Sequence, residues 1–140
     1  MLRFIVPALS LLLTLPLTAQ AASKQEFELN KTLQKVATES SVGTPRAINE
    51  DILDQGYTVE GKALVNHLSV RAEHAARMQQ NPEQVRSQLG DSVCRNSGFR
   101  NLMSKGAVMV YRFTVYKTNQ PVMDQAFDNA SCTAGNKKKK

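Results

Sequence analysis

The sequence predicts an α+β domain: an antiparallel four-stranded sheet with helices on one face, in the order α-β-β-α-α-α-β-β, closed by one disulfide. Three observations carry that prediction. Strand-like runs at 52–70 and 107–132 are separated by helix-like runs at 71–106, and such segregation favours an antiparallel sheet over alternating βαβ units. Residues 107–118 sort onto two faces at a period of two, as a half-buried strand does. The 140-residue chain also carries two cysteines, Cys94 and Cys132, behind a secretory leader.

The leader comes first in the chain. Met1-Leu2-Arg3 gives a positive start, Phe4 to Leu17 is apolar apart from Ser10 and Thr14, and Ala19-Gln20-Ala21 places small residues where a signal peptidase reads. The apolar run is short for a membrane span, and no second run follows. Cleavage is expected between Ala21 and Ala22, so 1–21 is a signal peptide, 22–136 a single α+β domain and 137–140 a basic tail. No cysteine stands at the cleavage site, so no lipoprotein or other stable membrane anchor is expected.

Each element has its own warrant. Ser23 and Glu26 have the spacing of a capping box, and Leu29, Leu33 and Val36 form an apolar stripe, which predicts a helix over 24–37. The stretch from Ser40 to Pro45 breaks it. Residues 52–59 and 62–70 are rich in apolar and β-branched side chains, with Glu60-Gly61 between them, and read as a hairpin. Leu64, Leu68 and Val70 share the parity expected to face the core; Ala63, Val65 and His67 take the opposite face. Arg71 to Gln80 is Ala-rich and helical. Asn81-Pro82-Glu83-Gln84 starts the next helix, with Asn as cap and Pro at the first position. Val85, Leu89 and Val93 line its inner face. A short helix holding Phe99, Leu102 and Met103 is stopped by Gly106. Residues 107–118 form the clearest strand, Asn119-Gln120-Pro121 turns the chain, and 122–132 is expected to return as the last strand.

Composition narrows function. The net charge is +6, but Arg3 leaves with the leader and Lys137–Lys140 supply most of the remainder, so the body is close to neutral. A nucleic-acid binder carries a basic face on the domain itself, and no nucleic-acid partner is expected. The lysine tail reads as a solvated terminus, against the alternative of a basic arm for an anionic lipid or polymer. In an exported protein an isolated pair of cysteines reads as a disulfide; a redox site favours CxxC spacing and a metal site needs more ligands. Closing a loop of about 38 residues stabilises by roughly 4 kcal/mol in the chain-entropy model.

No catalytic constellation is visible, and no metal site or cofactor is expected. No serine stands in a GxSxG elbow. His67 and His74 are isolated and read as structural. Glu50, Asp51 and Asp54 lack the dense ligand spacing of a calcium loop and read as a solvated turn. Met103 and Met109 read as core filler. Asn30-Lys31-Thr32 and Asn129-Ala130-Ser131 match the glycosylation sequon, but the plain reading is a helix surface and a strand end. Val108, Val110, Arg112 and Tyr116 share the outer face of the long strand, and together they are the candidate partner surface.

One stretch carries a resemblance. Cys94-Arg95-Asn96-Ser97-Gly98-Phe99-Arg100-Asn101-Leu102-Met103, then Lys105-Gly106-Ala107, the strand Val110-Tyr111-Arg112-Phe113 and finally Cys132, resembles the quorum-sensing-regulated virulence factors exported by Gram-negative bacteria. It spans about Leu53 to Cys132. In that family the strand turn contains Gly, where this chain has Asn119-Gln120-Pro121. The resemblance implies a secreted or periplasmic α+β domain linked to virulence by regulation, with no catalytic residues to carry over. A periplasmic accessory protein similar to the pilotins of secretion systems is the alternative, although those are lipidated. The expectation is a non-enzymatic, exported binding protein with a protein partner.

Overall fold

The computed structural model describes residues 17–134, with side chains from Ser23 onward. Residues 1–16 of the expected leader and the 137–140 tail lie outside the described residues. The chain runs α1 (Leu17–Ser40), β1 (Arg46–Ala47), β2 (Ile52–Glu60), β3 (Ala63–Val70), α2 (Ala72–Gln80), α3 (Pro82–Arg95), α4 (Ser97–Ser104), β4 (Val108–Val115), β5 (Pro121–Phe127) and α5 (Asn129–Ala134).

The α+β class and the single disulfide hold, but the sheet differs from the expected one. It has five strands in the order β1-β2-β3-β4-β5, and it is mixed. β3 and β4 pair in parallel, from Ala63 opposite Val108 to Val70 opposite Val115. The crossover permits this. A tight turn can only reverse a strand, whereas three helices between β3 and β4 carry the chain back to the starting end of β3. The fifth strand is the two-residue β1, which pairs with Leu53 and Asp54 of β2.

The predicted helices differ mainly at their ends. α1 runs through Ser23 instead of starting there. Pro82 occupies the first turn of α3, but the Asn81 side chain makes no capping hydrogen bond. Asn96 does cap α4, its Oδ1 accepting from the Phe99 N–H at 3.0 Å. The largest local correction is at the C-terminal end, where β5 stops at Phe127 and residues 129–134 are helical. Asp128 explains the switch. Its Oδ1 accepts from the Ser131 N–H at 2.9 Å, and Ser131 Oγ accepts in return from the Asp128 N–H at 3.2 Å, a reciprocal helix cap. Cys132 therefore lies on a helix, and its bond to Cys94, with 5.4 Å between the Cα atoms, staples α3 to α5.

The helical layer packs on one side of the sheet. Leu64, Met109 and Phe127 meet Leu29, Leu33, Ala37, Val93, Leu102, Met103 and Cys132 in one cluster. Leu68, Val70 and Phe113 meet Ala75 and Met78 in a second. The predicted core parity of β3 and of 107–118 is thus the observed one.

Candidate functional site

On the sheet face turned away from these clusters, the candidate residues Val108, Val110 and Arg112 lie along β4, and Tyr116 follows just beyond its end. Val108, Val110 and Arg112 are half-buried; Tyr116 is 46% exposed. The four share a face because they share a parity.

Arg112 is not a free cation. Its Nη1 donates to Glu60 Oε1 of β2 at 3.1 Å, and its Nε donates to Asp124 of β5, 3.2 Å from Oδ2. The Glu60 bridge passes across β3. The β3 residue between the rows of Ala63 and His67 on this face is Val65, and it is fully buried although it belongs to neither core cluster. Beside it, Thr58 Oγ1 and His67 Nε2 are hydrogen-bonded at 2.6 Å. A polar lattice from four strands therefore roofs an apolar side chain, with the Arg112 methylenes available to cover it. The Arg112 hydrogen bond holds the Glu60 carboxyl below the usual range, and Glu60 and Asp124 raise the Arg112 guanidinium in return.

At the far end of this face, Tyr116 closes a recess of about 350 Å³ whose other walls include Ala47, Leu53, Ser69 and Arg71. Gln55 Nε2 donates to Ser69 Oγ at 3.1 Å there. The Lys117 ammonium lies 5.7 Å from the Tyr116 ring centroid, within cation–π reach.

The other candidates separate. Asp54 leaves the acidic cluster to enter a β-bulge, where its Oδ1 accepts from Gly56 N–H and Asn66 Nδ2, both at 2.9 Å. Asp51 turns instead toward His74 and Arg77 on α2, at 3.6 and 3.7 Å. His67 and His74 thus serve different neighbourhoods. Among the described residues no three His, Cys, Asp or Glu side chains converge as a metal site. Asn30 of the first sequon donates to the Gly61 carbonyl at 2.7 Å, tying α1 to the β2–β3 turn. Sequence reasoning did not find Glu60, Asp124 or Thr58 as parts of the outer face. The alternation of Thr58 and Glu60 on β2 was a usable signal for two of them. The partnership with Arg112 needed the strand order.

The arrangement can present fixed charges and a side-chain-sized recess to another molecule. It defines a small, disulfide-stapled α+β domain with one helix-covered and one polar sheet face. The chain belongs to the family described as "putative quorum-sensing-regulated virulence factor", whose model matches residues 22–133. Among solved structures, the chain is similar to a "putative secreted protein" of Pseudomonas aeruginosa, with 69% identity and a TM-score of 0.76 over 77% of this chain and 96% of that one. It also has the fold of two type II secretion system pilotins. That of Vibrio vulnificus is 15% identical with a TM-score of 0.67, covering 79% of this chain and 96% of that one. That of Vibrio cholerae is 18% identical with a TM-score of 0.63, covering 80% and 99%. At such identities the likeness is one of fold. No curated protein sequence matches the chain.

Proposed function

We propose that this chain is an exported, secreted or periplasmic binding protein, without a catalytic step of its own, that docks a protein partner on the sheet face of Val108, Val110, Arg112 and Tyr116. The observation that carries the proposal is Arg112, held on two sides by Glu60 and Asp124 on the face the helices leave uncovered. A charge fixed in that way sets the orientation of a partner more than its affinity. The half-buried valines beside it supply apolar contact, and Tyr116 is of the residue type that dominates interface energetics. The family description supports a role linked to virulence, and the secreted relative supports export.

A photo-crosslinking amino acid at Val110, with a control at Glu73 on the helical side, tests the proposal in the producing cells and their medium. A discrete crosslinked species from Val110 alone, lost with Arg112→Glu or Tyr116→Ala, is the expected result. The same products from both positions would count against the sheet face.

A further inference from the structure

A second surface lies on the helical side, away from the sheet face. Leu29, Leu33 and Val36 turn one side of α1 into the core, so Lys24, Phe27 and Lys31 share the opposite side at i, i+3 and i+7. Phe27 is 67% exposed, although an aromatic ring is costly to leave in water. Beside this ridge, a recess of about 560 Å³ separates α1 from the end of α4, lined by Lys24, Glu28, Thr32 and Lys105. Arg100 stands one turn earlier on α4. None of Lys24, Lys31, Arg100 and Lys105 has a carboxylate within ion-pairing distance among the described residues; the neighbouring Glu26 is engaged by Lys62 at 2.9 Å. Glu28 is the one unpaired acid along the recess.

We infer that the outer side of α1, together with Lys105 and Arg100 of the α4 region, is a docking surface for anionic lipid. Lys24 and Lys31 flank an exposed aromatic ring, and Lys105 lines the recess beside Lys24; unpaired cations next to an apolar ring match the make-up of an interfacial segment, in which lysines meet lipid phosphates and an apolar ring enters the headgroup boundary. The aromatic ring and the charge act together here, which distinguishes the surface from a plain polyelectrolyte site. No described helix is long and apolar enough to cross a membrane, so the contact is peripheral and reversible.

The test uses the exported protein and sedimentation with vesicles of phosphatidylcholine alone or with three-tenths phosphatidylglycerol. Binding is expected only with phosphatidylglycerol, and it should weaken at least tenfold between low and high salt. Lys24→Gln and Lys105→Gln should each weaken it roughly fivefold. Phe27→Ser, which leaves the charge unchanged, should weaken it several-fold. Arg71→Gln and Lys117→Gln control for net charge, and Arg112→Glu separates this surface from the sheet face; none of the three controls should matter as much. Circular dichroism checks that each variant folds. Equal binding to both vesicle types, an affinity unchanged by Phe27→Ser, or binding that depends on Lys137–Lys140 alone would each overturn the inference. So would binding to heparin at least as tight as to the anionic vesicles.

Discussion

Arg112 sits on β4 yet closes on a carboxylate of β2, and that span explains why Val65 is dry on a face the helices do not cover. Sequence alternation correctly separated Val65 from the Leu64 parity, but alternation alone equates the outer face with exposure. The consequence is measurable at one carboxyl. Glu60 titrates below its ordinary 4.5 because of Arg112. Its contribution to stability is therefore complete above the unfolded value and is lost as pH falls through the lowered folded one. In Arg112→Ala, NMR titration of the Glu60 carboxyl should return it toward 4.5, and Val65 should gain solvent exposure. An unchanged Glu60 titration would show that the bridge is not formed in solution.

At the scale of elements, α1 and the bulge in β2 are held to each other. Ser41 Oγ, at the end of α1, accepts from the Tyr57 N–H at 2.8 Å, occupying an outward-facing edge group of β2. Between them Gly56 has a φ of +101°, and a Cβ there would stand 3.0 Å from both Ser41 Oγ and Thr44 Oγ1. Gly56→Ala should cost about 1–3 kcal/mol by equilibrium denaturation, since both the backbone and the space oppose it. Leu33, on the inner face of α1, is fully buried. Leu33→Ala should cost about 2–5 kcal/mol. The α3–α5 staple closes a separation of 38 residues. Cys94→Ser with Cys132→Ser should cost roughly 4 kcal/mol, and denatured, unreduced protein should offer no thiol to labelling.

Over the whole molecule, stability should fall at both ends of the pH range. Glu60 and Asp128 are both lowered, Asp128 chiefly by the Ser131 N–H, so their contributions hold above about 4.5 and fade as pH falls through their depressed values. Burial raises the Tyr57 phenol, and pushes Tyr111 up to about 12. Their contributions are complete below pH 10 and are lost as pH rises through each raised value, because the unfolded chain releases those protons first. Chemical denaturation across pH should give a plateau between these limbs, and Tyr111→Phe should flatten the alkaline one. The plateau spans neutral conditions.

The sequence by itself determined the α+β class, the core parity of β3 and β4, the helix starting near Pro82 and the pairing of two lone cysteines. Each of these is written in local spacing or in a count of two. Tertiary structure alone decided that β4 joins β3 in parallel, because a three-helix crossover permits either direction and packing selects one. It also decided that Cys132 lies on a helix. Asp128 and Ser131 form a cap there, although their neighbours had read as strand. Above all it decided the outer face. Glu60, Arg112 and Asp124 are far apart in the chain, and only strand order brings three charges from three strands over one buried valine.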